Sequence, residues 1–318
     1  MKIIGTGSYL PSAVLTNDDL SKIVDTSDEW IQARTGIQLR HVARDEKNAS
    51  LAVKAALSAI VDAGIKAAEI DLVIVATSTP DSFIPGVSHA LIKELNISQA
   101  MTFDINAACT GFVYALDVAS SLMRSHSYKY ALVIGTEVMS KLVDWTDRNT
   151  CVLFGDGAGA VVVQNCEENL FLAQCRSLPD EDDVLKSGDI ATNNPLVKAD
   201  PQPIFLKMKG QEVFKFAVSR VCESVKEIIS EAEIPLEEVD YFILHQANSR
   251  IMDFVAKRLK IEPEKLYSTI AHTGNTSAAS IPIVIDEMNR KKLLKKGMRL
   301  VFTGFGAGLT YGSVVIEW

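Results

Sequence analysis

Cys109 stands where a strand gives way to a helix, a position that suits a nucleophile. The segment 101–105 predicts a short strand, and the alanine-rich segment 107–123 predicts a helix with apolar residues at helical spacing. The free N–H groups and the positive end of the helix dipole favour the thiolate form of a cysteine at such a junction. A buried cysteine that only packs is the alternative, and residue type by itself favours it.

His245 and Asn275 stand at comparable junctions in the second half of the chain. His245 ends the apolar run 241–244, and α/β sheets place ligands at the carboxyl ends of their strands. Asn275 lies in a small-residue turn that enters a helix, where an N-cap is the alternative role. His272 competes with His245 for the role of a catalytic imidazole. The residues alone leave these assignments open.

Trp30 and Arg34 could together bind a flat ring. They lie one helical turn apart in the segment 28–37, which the sequence predicts to be helical. An aromatic plane and a cation at this spacing can hold a nucleobase by stacking and cation–π contact. Packing with a surface ion pair is the commoner outcome for such a pair.

Strands alternating with helices would position these residues. The apolar run 71–77 is typical of a strand buried on both faces of a parallel sheet. The pattern as a whole predicts an α/β fold with a largely parallel sheet. A polar excursion over 176–204, which includes Pro201, interrupts the pattern. Further strands are predicted at 2–7, 130–135 and 160–164, and helices at 17–24, 48–64, 86–94 and 210–231.

The second half of the chain repeats the pattern of the first. The segments 70–78, 130–136 and 154–163 match 239–247, 299–305 and 306–316, and 266–280 corresponds to the Cys109 segment. Two such units, 1–165 and 166–318, would pack about a pseudo-twofold axis. The axis would bring Cys109, His245 and Asn275 together at the centre. Chance similarity between α/β strands is the alternative.

Composition restricts the functional class. The 318 residues carry a net charge of −8, which gives no support to nucleic-acid binding, and no apolar run is long enough to span a membrane. The first residues predict a strand and not a signal peptide. The five cysteines are odd in number and lack CxxC spacing, so we expect a cytoplasmic protein without disulfides or a metal site.

Two glycine-rich stretches suggest a Rossmann-like nucleotide-binding protein as an alternative from another class. GTGSYL at 5–10 resembles a dinucleotide fingerprint, but Leu10 stands where the third glycine belongs. GDGAG at 155–159 is the second stretch. A serine hydrolase is disfavoured because the chain has no GxSxG motif.

Over its full length the chain resembles the β-ketoacyl-[acyl carrier protein] synthase III family of condensing enzymes. The resemblance implies a thiolase-like fold, in which two pseudo-twofold-related halves form five layers in the order α-β-α-β-α. It also implies an acyltransferase that forms a homodimer. The stretches that carry it are GTGSYLP at 5–11, TSDEWIQARTGI at 26–37, NAACTGF at 106–112, FGDGAGA at 154–160, HQAN at 245–248, GNTSAAS at 274–280 and GFGAGLTYGS at 304–313.

The resemblance also implies a reaction in two steps. Cys109 would take the acyl group of an acyl-CoA primer, and malonyl-[acyl carrier protein] would then decarboxylate and attack that group. His245 and Asn275 match the family's hydrogen-bond donors to the enolate. Backbone N–H groups of Cys109 and Ala307 would form an oxyanion hole, and Phe305 matches a residue that shields the site from water. The CoA thioester is a substrate, so no cofactor is implied.

Binding residues follow from the same resemblance. Trp30 and Arg148 match a pair that stacks on the CoA adenine. The further CoA contacts are Thr26, Arg34 and Asn248, and the basic residues for the acidic carrier protein are Lys215, Arg250, Lys257 and Arg258.

The chain departs from the family pattern at two positions. Thr273 replaces a usual tyrosine or histidine. Ile84 stands where many members have a phenylalanine that closes the partner subunit's acyl pocket, so we expect tolerance of primers longer than acetyl. A related enzyme that condenses two CoA substrates, or that serves secondary metabolism, is the enzymatic alternative.

Overall fold

The computed structural model describes residues 1–166, 168–200 and 202–318, so Pro201 of the predicted excursion lies outside the described residues. The strands are β1 (Lys2–Tyr9), β2 (Val14–Thr16), β3 (Leu39–His41), β4 (Leu72–Ala76), β5 (Met101–Ile105), β6 (Tyr130–Val138), β7 (Asp156–Gln164), β8 (Phe171–Ser177), β9 (Leu185–Lys186), β10 (Lys207–Met208), β11 (Tyr241–Leu244), β12 (Arg299–Gly306) and β13 (Thr310–Glu317). The α-helices are α1 (Asn17–Ser21), α2 (Asp28–Thr35), α3 (Asn48–Ala63), α4 (Val87–Glu94), α5 (Gly111–His126), α6 (Arg148–Cys151), α7 (Gly210–Glu231), α8 (Ser249–Leu259), α9 (Ile270–Thr273) and α10 (Ser280–Arg290).

Two central sheets follow the same plan. The first has the strand order β1-β7-β6-β4-β5, and the second has the order β8-β13-β12-β11. In each sheet a parallel pair (β4 with β6, β11 with β12) is followed by an antiparallel one (β6 with β7, β12 with β13). This shared plan supports the interpretation that one unit occurs twice in the chain.

The sheets are mixed, which corrects the prediction of a largely parallel sheet. β12 and β13 are joined by the short turn Ala307–Leu309, and a connection of that length can only join antiparallel neighbours. The segment between β6 and β7 likewise contains no long crossover helix, since α6 spans only Arg148–Cys151. Apolar content identified these strands but could not give their direction.

Five layers pack around three apolar clusters. Helices α3 and α4 cover the outer face of the first sheet. Helices α5 and α10 lie between the two sheets, and both sheets contribute side chains to that inner cluster. Helices α7 and α8 cover the outer face of the second sheet. The layers are therefore α-β-α-β-α, as expected.

Most of the predicted helices and strands are confirmed, but several begin or end at residues other than those predicted. Helices α3 and α7 match the prediction closely, and Gly64 caps α3 with φ of +66°. Helix α1 ends at Ser21, three residues before the predicted end at Val24. β7 begins at Asp156, so its glycine-rich stretch is strand, packed closely on α10.

The nucleotide-binding alternative loses its structural basis. GTGSYL would need a turn that faces a phosphate, but residues 5–9 continue β1. A Cβ on Gly7 would lie 2.2 Å from the Ala55 carbonyl oxygen of α3, so glycine permits close packing of helix on strand here.

Candidate active site

One cavity of about 900 Å³ lies between the two halves. Cys109, His245 and Asn275 all line it, and so do Phe305 and Ala307. The carboxyl end of β11, the turn before α5 and the turn before α10 meet here. The structure therefore brings together the groups that the sequence placed at matching junctions of the two halves.

The Cys109 turn is held by the second half of the chain. A 3₁₀ turn (Ala108–Thr110) precedes α5, so Cys109 lies just before the helix and not inside it. Thr110 Oγ1 and Thr310 Oγ1 are 2.9 Å apart, and Thr310 Oγ1 donates to the Ala107 carbonyl at 3.1 Å. Ala108 has φ of +48°, a strained value for a residue with a Cβ. The strain points the turn toward the cavity.

The expectation of a thiolate at Cys109 is wrong. Burial raises the pKa of the Cys109 thiol to about 12, and hydrogen bonding from Ser277 lowers it by less. Desolvation of the buried thiol disfavours the charged form and is the largest influence on its pKa. Cys109 is therefore a thiol at neutral pH, and its proton must be transferred when it attacks.

His245 is a neutral hydrogen-bond donor. Burial lowers the pKa of His245 to about 3, so the imidazole is uncharged at neutral pH. Gln246 N–H donates to Ser280 Oγ at 3.3 Å, and Ser280 Oγ lies 2.7 Å from His245 Nδ1. When the Ser280 hydroxyl donates to Nδ1, the imidazole proton lies on Nε2, and this is the tautomer that we propose. The Phe305 ring packs edge-to-face on His245, with centroids 5.1 Å apart.

Asn275 is fixed in a similar way. Its side-chain oxygen Oδ1 accepts from Ser277 N–H at 2.9 Å, which leaves the Nδ2 amide as a donor. Its backbone is bound on both sides, since Asn275 N–H donates to the Leu153 carbonyl at 2.9 Å and the Asn275 carbonyl accepts from Gly155 N–H at 3.0 Å. Asn275 is not the N-cap that its position first suggested, because Thr276 is the N-cap of the 3₁₀ turn Ser277–Ala279.

His272 does not compete for the imidazole role. Its Nε2 lies 2.9 Å from Glu287 Oε2, and 45% of its side chain is exposed. It belongs to a surface group with Tyr267 and Lys291, both of which bond to Glu287.

The glycine-rich turn after β12 abuts the nucleophile. A Cβ built on Gly306 would lie 2.8 Å from Cys109 N and 3.2 Å from Cys109 Cβ, so only glycine fits. Ala307 follows at the cavity wall. This contact places the backbone of 306–307 beside the Cys109 turn, where an oxyanion hole is expected.

Trp30 lies at the cavity with two cations on its ring. The Arg34 and Arg148 guanidinium carbons are 5.2 and 4.9 Å from the ring centroid. Arg148 also donates to the Asp25 carbonyl at 2.8 Å. A base that stacked between Trp30 and Arg148 would replace their direct contact.

Thr26 and Asn248 lie near this aromatic site but differ in their bonding. Thr26 Oγ1 is buried and has no partner among the described residues. Both polar side-chain atoms of Asn248 already have partners. As the N-cap of α8, its Oδ1 accepts from Arg250 N–H, and its Nδ2 donates to the Arg34 carbonyl.

The predicted basic residues share one side of the molecule. Lys215 and Arg250 line the cavity and are exposed, and the Arg250 guanidinium lies 5.9 Å from the Phe214 ring. Lys257 and Arg258 are exposed on the same helix, α8, as Arg250. Lys215 pairs with Glu212 at 3.7 Å.

The two departures from the family pattern have different environments. Thr273 is buried, and its hydroxyl donates to the Thr269 and Gly274 carbonyls. Ile84 is 89% exposed, beside Phe83 at 78%.

Sequence reasoning missed several residues of the site. Leu185, Leu206 and Met208 line the cavity, although they fall in or beside the segment treated as a polar excursion. β9 pairs with β10 and holds them there. The apolar residues at the two ends of the excursion were the available signal.

A buried glutamate near Cys109 was also missed. Glu137 is fully buried, and its carboxylate is bonded to Ser277, which lines the cavity. The signal was a charged residue at the end of an apolar strand run, the same signal that identified His245.

No metal site or membrane span is found in the part of the chain that the structure describes. Residues 1–166, 168–200 and 202–318 contain no group of three or more His, Cys, Asp or Glu that could hold a metal ion. Over the same ranges no helix has both the length and the apolar character needed to cross a membrane.

Two family models match the chain. Residues 103–177 match 3-oxoacyl-[acyl-carrier-protein (ACP)] synthase III, and residues 229–318 match the C-terminal model of the same name. A curated relative, beta-ketoacyl-[acyl-carrier-protein] synthase III of Clostridium acetobutylicum, is 48% identical over 322 residues and is covered to 98% by the whole of this chain. The protein of the same name from Clostridium novyi is 46% identical, with 99% covered.

Solved structures give the same result. The chain is similar to 3-oxoacyl-[acyl-carrier-protein] synthase III from Aquifex aeolicus VF5, with a TM-score of 0.93 and 44% identity over 100% of this chain and 99% of that one. It is also similar to the priming beta-ketosynthase of the R1128 polyketide biosynthetic pathway, with a TM-score of 0.93 and 33% identity over 99% and 96% of the two chains.

Proposed function

Because this chain belongs to the β-ketoacyl-[acyl-carrier-protein] synthase III family, it is an acyltransferase that initiates fatty acid synthesis, and we propose that Cys109, His245 and Asn275 perform its chemistry. The observation that supports this assignment is their convergence on one cavity from both halves of the chain. The fold is the thiolase-like fold of that family.

In the first half-reaction Cys109 Sγ attacks the thioester carbonyl of an acyl-CoA. The backbone N–H groups of Cys109 and Ala307 stabilise the oxyanion that forms. The bond to the CoA sulfur breaks, and free CoA leaves with a proton. The acyl group remains as a thioester on Cys109. The burial of Phe305 over His245 excludes water from this acyl-enzyme.

In the second half-reaction malonyl-[acyl carrier protein] loses CO₂. The electrons of the broken C–C bond delocalise onto the thioester oxygen, which accepts from His245 Nε2–H and Asn275 Nδ2–H. Both donors are neutral and held by fixed partners, so they stabilise negative charge without rearrangement. The resulting carbanion attacks the acyl carbon on Cys109, and the bond between that carbon and Sγ breaks with its electron pair on Sγ. β-Ketoacyl-[acyl carrier protein] leaves, and Sγ takes up a proton to restore the thiol.

Binding of the two substrates uses different surfaces. We propose that Trp30, Arg34, Arg148, Thr26 and Asn248 bind the CoA end of the primer. The unpartnered Thr26 hydroxyl is the group among them with hydrogen-bonding capacity to spare. The basic residues Lys215, Arg250, Lys257 and Arg258 receive the acidic carrier protein.

The exposed position of Ile84 suits a homodimer in which it reaches the partner subunit's acyl pocket. Isoleucine is smaller than the phenylalanine common in the family, so we propose that the pocket accepts primers longer than acetyl. The five cysteines are unpaired, which suits a reducing cytoplasm.

Intact-protein mass spectrometry tests the nucleophile and the primer range together. Wild-type protein is mixed with acetyl-, butyryl-, isobutyryl- and octanoyl-CoA, and Cys109→Ala is treated in the same way. We expect acyl adducts on the wild type, from acetyl and at least one longer primer, and none on the variant. Cys151→Ala is a matched control, because Cys151 is also a buried thiol.

Adducts that persist in Cys109→Ala would overturn the assignment of the nucleophile. Reaction with acetyl-CoA alone would overturn the proposal on primer length. Malonyl-CoA offered in place of malonyl-[acyl carrier protein] then tests the alternative of condensation between two CoA substrates, for which we expect little product.

A further inference from the structure

Glu137 is a fully buried carboxylate at the carboxyl end of β6, directly beneath the cavity. It accepts from Thr79 Oγ1 at 2.5 Å, from Thr77 Oγ1 at 3.2 Å and from Ser78 N–H at 3.1 Å. A fourth donor is Ser277 Oγ, 3.1 Å from Oε1. No lysine or arginine is among these partners, so the charge of Glu137 is held by neutral donors.

Ser277 connects this carboxylate with the nucleophile. Its hydroxyl donates to Glu137, and the turn that carries it packs against the Cys109 turn at the wall of the same cavity. Turned toward Sγ, the same proton would stabilise the thiolate and lower the pKa of that thiol against the effect of burial. Ser277 has φ of +51°, a left-handed conformation that is strained for a residue with a Cβ. In this conformation the Ser277 N–H donates to Asn275 Oδ1 and fixes that side chain. Ser277 therefore contacts Glu137, Asn275 and the Cys109 turn.

We propose that Glu137 is a positioning residue that shares the thiol proton of Cys109 through the Ser277 hydroxyl. The proposal rests on the assignment of Cys109 as the nucleophile. It adds to that assignment a destination for the proton that the buried thiol has to release.

Charge balance favours this destination. A thiolate beside an ionised Glu137 would place two negative charges in one buried site, and Glu137 does raise the pKa of Cys109 by repulsion. Burial raises the pKa of Glu137 to about 7, despite its hydrogen bonds. Moving the proton from Cys109 to Glu137 keeps one negative charge in the site throughout, and avoids that penalty.

Other charged groups around the pair have partners of their own. Lys141 pairs with Asp81 at 2.9 Å, at the edge of the Thr79 turn. Asp156, on the neighbouring strand β7, accepts from Ser140 and from Ala43 N–H. On the cavity side His245 is neutral, as described above.

The acylation step then balances as follows. The Cys109 proton passes to Ser277 Oγ while the Ser277 proton passes to Glu137, and Sγ forms its bond to the thioester carbon. When the carbon–sulfur bond to CoA breaks, its electron pair stays on the CoA sulfur. The proton returns through Ser277 to the CoA sulfur. That sulfur is close to Sγ, because both were bonded to the thioester carbon in the tetrahedral intermediate. Glu137 is ionised again, and Cys109 carries the acyl group.

The pH profile of Cys109 alkylation by iodoacetamide tests the proposal. In the wild type the rate should rise about tenfold per pH unit until the pair loses its first proton near neutral pH, and should then level off. In Glu137→Gln the thiol titrates alone, so the rate should continue to rise. At pH 9 the variant should react about tenfold to a hundredfold faster than the wild type.

Asp156→Asn is the matched control, because it removes an equally buried carboxylate that does not contact Ser277. Its profile should keep the wild-type inflection. A Glu137→Gln profile that also keeps the inflection would overturn the proposal. If Glu137→Gln does not fold, the wild-type profile is sufficient. A wild-type alkylation rate that rises through neutral pH without levelling off would also overturn the proposal. Absence of acylation at Cys109 would instead overturn the proposed nucleophile.

Discussion

Asn275 contributes a donor whose direction is set by one hydrogen bond. Because Oδ1 is bound to Ser277 N–H, the Nδ2 amide is the part of the side chain that can meet substrate. In the proposed mechanism the donor acts on the enolate, and the acylation step does not use it. Loss of Asn275 should therefore separate the two half-reactions.

We predict that Asn275→Ala slows condensation about 10²- to 10³-fold, the usual effect of removing one donor from an oxyanion site, and leaves acylation of Cys109 nearly unchanged. Single-turnover assays of each half-reaction measure the two effects. Asn275→Asp keeps the bond to Ser277 N–H and removes the donor, so it should lose condensation too. Asn193→Ala, at an exposed position, is the control. An equal loss in both half-reactions would contradict the prediction.

At this scale the sequence predicted which residues form the site better than it predicted their charge. Cys109, His245 and Asn275 could be chosen because each follows a strand or a turn in a duplicated pattern. The protonation state of Cys109 could not be predicted, since it depends on the burial of the thiol in the folded chain. Position near a helix terminus, which favours a thiolate, gives no information about desolvation, which disfavours it.

The turn after β12 shows how one element sets the geometry of another. β12 ends at Gly306, whose Cα faces the Cys109 backbone so closely that a methyl group has no room. Cys109 belongs to the turn before α5, almost 200 residues earlier in the chain. The sequence showed a glycine-rich stretch here but could not show what it packs against.

We predict that Gly306→Ala reduces the acylation rate of Cys109 about 10²-fold, because the added methyl displaces the nucleophile from the oxyanion donors. Rapid-quench measurement of the acyl-enzyme gives the rate. Gly64→Ala is the control: it has open space around its Cα, and its positive φ makes it cost about 1 kcal/mol of stability without a change in acylation. Acylation of Gly306→Ala at the wild-type rate would count against the close contact.

Strand direction was the main error at the scale of elements. Apolar runs identified β4, β6, β11 and β12 correctly, but the direction of a strand depends on the length of the connection that follows it. The two ends of the excursion were misjudged for a related reason. Their few apolar residues are too short a pattern to predict β9 and β10, which form only because they pair with each other.

Charge is distributed unevenly over the whole molecule. The net charge is −8, yet Arg250, Lys257 and Arg258 lie exposed on one helix, α8, and Arg250 lines the cavity. A basic surface on an acidic protein can attract an acidic partner in a defined orientation. Salt screens such an attraction.

We predict that raising the salt concentration weakens condensation with malonyl-[acyl carrier protein] much more than acylation by acyl-CoA. The charge reversal Lys257→Glu should raise the KM for the carrier protein and reduce this salt dependence. Steady-state assays over a range of salt concentrations measure both. Lys93→Glu is the control, because Lys93 is exposed on α4 in the opposite outer layer. Equal salt sensitivity of the two half-reactions would contradict the assignment of this surface.

The inner layer has a consequence for how the protein could be divided. Helix α5 comes from one half and α10 from the other, and each packs against both sheets. A half produced alone would expose that apolar face to water and would aggregate. A chain cut in the exposed stretch near Asn193 would keep every inner contact, so two co-expressed fragments could reassemble into one working enzyme.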